Sequence, residues 1–181
     1  MKKIIVCMAV AVVAFCANAA SFQWSAAKVY CGDALASGVN GYFVFADQLA
    51  ADAAAAALKD GKVSSIKDVA SSTYAIANGA VTASKTTFER KDATAGTAYD
   101  GYYVILSEDE STYYMSDVKS MAAKDVGAVT FAWGNQESAT KGVAWTKVGG
   151  VEPGPGGVPE PTSGLLLVLG GAALALRRKQ K

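Results

Sequence analysis

Two apolar runs, one near each end, decide how much of this 181-residue chain can become a globular body. The first follows Met1-Lys2-Lys3 and covers residues 4–15, about twelve residues of Ile, Val, Ala, Met, Cys and Phe. A positive start, a short apolar stretch and then Ala17-Asn18-Ala19 form the pattern of a secretory leader cut after a small-x-small triplet. The stretch falls short of the roughly twenty apolar residues that span a bilayer comfortably. Cleavage after Ala19 is expected, with Ala17 and Ala19 as the residues read by signal peptidase once the Sec machinery has delivered the chain. Cys16 follows Phe15 where a lipidation site wants a small residue, so it is not read as a lipid anchor.

The second run covers residues 164–176 and includes Leu165, Leu166, Leu167, Val168, Leu169, Leu174 and Leu176. As a helix its thirteen residues would reach about 20 Å at 1.5 Å per residue, short of the roughly 30 Å hydrocarbon core. Snorkelling of Arg177, Arg178 and Lys179 and local thinning of the bilayer can make up the difference. A core helix would carry polar residues at regular spacing, and this run has none before Arg177. The basic residues act as a cytoplasmic stop and place the body on the far side of the membrane. Just upstream, Pro159-Glu160-Pro161 keeps the backbone extended, a form that suits the cleft of a processing enzyme.

Motif, short apolar span and basic end, in that order, resemble the PEP-CTERM sorting signal of Gram-negative bacteria that make exopolysaccharide. The resemblance covers about 23 of the 181 residues. It implies exosortase, a membrane-embedded transpeptidase, as a partner, with Pro159, Glu160 and Pro161 as the recognised residues. It also implies passage to the envelope or the extracellular matrix after anchoring by the C-terminus. Such a signal specifies a destination and leaves the activity of the body open.

The expected organisation is a signal peptide over residues 1–19, an exported β-rich domain over 20–149, a Gly/Pro linker over 150–158 and the sorting and anchor segment over 159–181. Setting aside Lys2, Lys3, Arg177, Arg178, Lys179 and Lys181 leaves 11 of the 17 basic residues, and setting aside Glu160 leaves 15 of the 16 acidic ones, so the body carries about −4. A mildly acidic domain has no clustered cations for nucleic acid. The chain has no histidine, which excludes Ser-His-Asp and Cys-His catalysis and His-based zinc sites. Cys31 is the one cysteine outside the leader, so the body has no intrachain disulfide and must be held by packing. It is read as a small hydrophobe, or else as an exposed thiol able to crosslink two chains. No cofactor is implied.

Within the body, residues 22–30, 41–45, 101–106, 112–115, 128–133 and 142–148 read as strands, rich in Tyr, Phe, Val and Trp and bounded by turn formers. Residues 102–115 read as a hairpin around a polar loop at 107–111. The Ala-rich run 48–59 predicts a helix capped by Asp47 and ended by Gly61, and a weaker helical turn is expected over 64–70. Residues 86–89 are the best strand candidate in the Ser/Thr/Ala-rich middle. Similar segments, 41–45 with 101–105 and 131–133 with 143–145, read as alike central strands and not as a repeat. The fold class expected is mainly β (α+β): a small antiparallel β-sandwich-like domain with one Ala-rich helix, flanked by the leader and the transmembrane sorting helix.

Three candidate sites follow. Glu108-Asp109-Glu110 has the oxygens a Ca²⁺ ion wants, but lacks EF-hand spacing and reads more simply as a solvated loop. Tyr42, Tyr102, Tyr103, Tyr113, Tyr114, Trp133 and Trp145 could stack on sugars, with one tyrosine of each consecutive pair in the core and the other exposed; Trp133 and Trp145 are the candidate glycan contacts. A glycosidase would need two acids across a cleft, and about 140 residues is small for one. The expected function is therefore a non-enzymatic exported surface or matrix protein. A carbohydrate-binding module for exopolysaccharide is the alternative, and a small secreted hydrolase the second alternative.

Overall fold

Every second residue from Ala20 to Ala26 is apolar, and in the computed structural model, which describes residues 19–150, this run is β1 (Ala20–Ala27) with those residues buried and their neighbours partly exposed. A short hairpin, β2 (Tyr30–Cys31) and β3 (Ala34–Leu35), leads to β4 (Val39–Phe45). Then come α1 (Ala51–Lys59), α2 (Ser64–Lys67), β5 (Ser72–Ile76), β6 (Phe88–Arg90), β7 (Ala98–Leu106), β8 (Thr112–Met115), β9 (Lys119–Ala122), β10 (Ala128–Asn135), α3 (Glu137–Thr140) and β11 (Thr146–Lys147).

The strands form two main sheets. The smaller runs β10-β1-β6, and the larger β11-β8-β7-β4-β5, with β9 also on β7. Their facing surfaces are fused by aromatic side chains: Phe22 and Trp24 from β1, Phe131 and Trp133 from β10, Phe43 and Phe45 from β4, and Tyr103 from β7. Phe43 lies 4.9 Å from Phe131 and 5.1 Å from Phe45 between ring centres, and Trp24 stacks on Tyr103 at 5.4 Å. These tilted and edge-on arrangements suit ring quadrupoles and add to the burial of large apolar surfaces.

A third layer covers the other face of the larger sheet. Tyr42, Val44, Tyr102, Val104 and Leu106 pack there against Ala54 and Leu58 of α1 and Ile66 of α2. The helix offers mostly methyl groups to this face, and the Tyr102 hydroxyl donates to the carbonyl of Leu49, two residues before α1, at 2.9 Å. Burial pushes that phenol's pKa up to about 12. The helix layer corrects one expectation: Tyr102 and Tyr103 are both fully buried, because both faces of β7 are covered.

The mainly β, sandwich-like class is as expected, with two differences of detail. The pairing of β1 with β10 is parallel; strands so far apart in sequence escape the antiparallel constraint of a hairpin. The helix ends as expected, with the Gly61 amide on the Leu58 carbonyl and the Lys62 amide on that of Ala57, a Schellman pattern with Gly61 at φ 78°. Its start is different. α1 begins at Ala51 with Ala50 at the cap position, which has no side chain to cap it; Asp47 lies three residues before that position, and its carboxylate is bound to Arg90.

Gly101 faces the aromatic rings between the two sheets: a Cβ there would stand 2.5 Å from Phe43 Cζ and 3.3 Å from Phe131 Cε1. Gly101→Ala regains up to about 1 kcal/mol of backbone entropy, yet displaces two interlocked rings. A net loss of about 1–3 kcal/mol is expected from overpacking, read as a lower urea midpoint with an unchanged slope.

Candidate functional site

The points where the chain enters and leaves the folded body are the places where a processing reading meets the structure. Ala19, the first described residue, is exposed, and Ala20 is 3 % exposed. Ala20 stands opposite Arg90 in the antiparallel β1–β6 pair, and from Ser21 onward β1 is paired with β10 on its other side. Beyond the end of β6, the Thr86 hydroxyl replaces a strand: it receives the Trp24 amide at 3.0 Å and donates to the Trp24 carbonyl at 2.6 Å. Val81 then bridges Ala26. Both edges of the first strand are thus satisfied along its length, as a central strand requires.

Arg90 closes the core beside this entry point. Its guanidinium carbon lies 4.6 Å from the centre of Phe45 and 4.5 Å from that of Tyr99. Nη1 and Nη2 grip the Asp47 carboxylate at 3.0 and 2.5 Å, while Nε and Nη2 reach Asp92, both at 2.9 Å. Planar fork geometry and two aromatic neighbours make this a position for arginine and not lysine. Hydrogen bonds from Arg90 hold the Asp92 carboxyl below its ordinary 3.8. A cleft alongside is lined by Ala46, Asp47, Thr97, Ala98, Tyr99 and Asp100. Of its two acids, Asp47 is engaged as the ion-pair partner of Arg90, a structural use of the carboxylate.

At the other end, β11 pairs with β8, the Val148 amide donates to the Ser111 carbonyl at 2.8 Å, and the Gly149 amide to the Leu58 carbonyl at 2.9 Å. Leu58 lies in the last turn of α1, so the C-terminal exit is tied to the helix layer.

The sequence candidates fall as follows. Trp133 and Trp145, the candidate glycan contacts, are 5 % and 8 % exposed, and their rings lie in the core cluster. Their indole nitrogens donate inward, Trp133 Nε1 to the Asp117 carbonyl at 3.1 Å and Trp145 Nε1 to that of Tyr30 at 3.0 Å. Tyr103 and Tyr114 both donate to Gln136 Oε1, and Gln136 Nε2 donates to the Trp133 carbonyl at 2.7 Å, a buried network joining β7, β8 and β10. In the acidic loop, Asp109 accepts from the Ser107 and Ser111 hydroxyls at 2.7 and 2.8 Å, which holds its carboxyl below the ordinary range, and Glu110 pairs with Lys67. Among the described residues no group of three or more His, Cys, Asp or Glu could hold a metal ion. Cys31 is exposed.

The Arg90 clamp was not visible in the sequence. Asp92 sits two positions away, but Asp47 is 43 positions away and Tyr99 is brought in by β7. Replacement by Arg90→Gln should release Asp92, and its carboxyl should titrate closer to 3.8 in an NMR pH series. The sign is fixed by linkage: a depressed native pKa stabilises above the unfolded value and is lost as pH falls through the native one. The wild-type protein should therefore lose this contribution on acidification below 3.8, and the variant should lack that part of the dependence.

Ala17 and residues 151–181, with Pro159, Glu160, Pro161, the anchor leucines and the basic stop, lie outside the described residues. Among the described residues no helix is long and apolar enough to cross a membrane. No curated protein and no solved structure matches the chain. A PEP-CTERM protein-sorting motif is found over residues 157–179, which contain the Pro-Glu-Pro triplet, the apolar run and the first three basic residues of the tail. The chain therefore carries the sorting signal of an exported protein that exosortase processes at the membrane and directs to the cell surface.

Proposed function

We propose that this protein is a non-enzymatic component of the envelope or extracellular matrix, exported behind a leader cut after Ala19 and held by the apolar tail until exosortase acts near Pro159-Glu160-Pro161. The sorting motif over residues 157–179 carries this reading. The body supports it in three ways. It has no histidine to serve as a general base near neutral pH. Its most elaborate charged cluster, around Arg90, is a closed ion-pair set that seals the edge of an aromatic core. Its large aromatic side chains are spent on cohesion between layers, as expected of a domain that must persist outside the cell without disulfides.

Mass spectrometry of the protein from cells and from medium tests the reading. The expected result is an N-terminus at Ala20 in both fractions, with the surface or medium form ending near residue 159. A single form in every fraction that retains Lys181 would overturn it.

A further inference from the structure

We propose that the outer edge of β10 is an interface between two copies of this chain, paired antiparallel about Thr130, and that Lys119 guards it.

Successive residues of a strand turn their N–H and C=O groups to opposite sides. Both groups of Trp24 are taken by Thr86, on the β6 side of β1. Its Cα partner Phe131 is therefore a residue of β10 that turns its own groups toward β1. Ala128, Thr130 and Ala132 turn theirs outward. The Ala132 carbonyl shows the same direction by accepting from Lys119 Nζ at 2.9 Å. Among the described residues β10 forms a ladder with β1 alone, so these outward groups have no main-chain partner. Strand β9 comes within 8 Å of β10 between Cα atoms, yet no ladder joins the two, and Lys119 reaches across by its side chain. Ala132 is exposed, and Ala128 and Thr130 are half-buried. Such an edge is a template for a further strand.

The residues of the edge select the occupant. About a two-fold axis at Thr130 the strand meets itself, with Thr130 opposite Thr130, Ala128 opposite Ala132 and Val129 opposite Phe131. Thr130 exchanges both main-chain bonds with its copy, and Ala128 does so with Ala132. No charge lies among these residues, and facing threonines are a favourable cross-strand pair. The same axis carries the turn before β10 of the second copy to the end of the edge where Lys119 holds Ala132. That turn contains the exposed Asp125 and Val126, and the receiving end has Val118 beside Lys119. Opposite charges and two exposed apolar side chains are thereby brought together. The smaller sheets join into one, in the order β6-β1-β10-β10-β1-β6.

Lys119 is the guard because it occupies the Ala132 carbonyl that the pairing uses, with its ammonium 6.0 Å from the centre of Trp133. Lysine at an edge restrains strand addition. Here its charge can pass to Asp125 of the second copy as the outermost bonds form.

The test is disulfide trapping in the full-length chain, in detergent micelles, carrying Cys7→Ala, Cys16→Ala and Cys31→Ala. Residues that exchange both bonds in an antiparallel pair have Cα atoms about 5.5 Å apart, within the range a disulfide spans. The two Ala128 positions would be offset by about 14 Å along the strands. Thr130→Cys should crosslink at least about tenfold faster than Ala128→Cys, or than Thr73→Cys on the β5 edge, because those positions do not meet their copies within disulfide reach. Ala128→Cys mixed with Ala132→Cys should crosslink as Thr130→Cys does, and Lys119→Met should speed the Thr130→Cys reaction. Ala132→Pro removes an outward amide and no bond within the body, which an edge strand tolerates. It should slow Thr130→Cys to the rate of the controls while near-ultraviolet circular dichroism stays native. Equal rates for Thr130→Cys and Ala128→Cys would overturn the proposal, and so would a Thr130→Cys crosslink that a folded Ala132→Pro protein forms undiminished.

Discussion

The fold depends on the burial of β1 between two later strands and against the larger sheet. Trp24 concentrates this dependence. Its ring stacks on Tyr103 of β7, its indole nitrogen donates to Ser72 Oγ at 3.2 Å, and its amide and carbonyl are both taken by the Thr86 hydroxyl. A Cβ on Gly41 of β4 would stand 2.7 Å from the same ring. One residue thus ties together β1, β4, β5, β7 and the turn before β6. Without a disulfide, such cross-layer contacts are what convert several short strands into one cooperative body.

Local features of this architecture were legible in the sequence. The 102–115 hairpin was, because two strongly β-prone runs flank a polar loop, and Leu106 does stand opposite Tyr113. The C-terminal end of α1 was also legible, since glycine at Gly61 tolerates the positive φ that a Schellman ending needs. Features decided by distant residues were not. Asp47 looks like a helix cap in the sequence, but α1 begins four residues later, at Ala51, and the Asp47 carboxylate is taken by Arg90. Alternation exposes one of Tyr102 and Tyr103, but the helix layer covers the second face of β7 and both are buried. The parallel β1–β10 pair has no local signal at all. Nor does β9, whose Lys, Ser and Ala residues are weak strand formers held in place by β7.

The same distinction governs the functional reading. The sorting signal is a linear pattern, and linear patterns are what a sequence displays directly. The aromatic candidates were a statement about which faces stay open, and that is settled by layers that no single strand can announce. Trp133 and Trp145 lie in the core cluster, and their indole nitrogens donate to the backbone carbonyls of Asp117 and of Tyr30 in β2. The Arg90 clamp does a related task at the strand's entry point, where a cation can cover the core edge while its charge is met by two carboxylates.

The first described strand, β1, is central in its sheet, and the C-terminal residues of the described body are tied to the helix layer by the Gly149 amide on Leu58. Everything in that picture requires β1 to be inseparable from the rest of the fold. Native-state hydrogen exchange of the Phe22 and Trp24 amides, measured beside those of Phe43 in β4 and Val104 in β7, tests this most directly. All four should exchange only through global unfolding, with the same free energy and the same denaturant dependence. Exchange of Phe22 and Trp24 through a smaller opening, while Phe43 and Val104 remain protected, would contradict it.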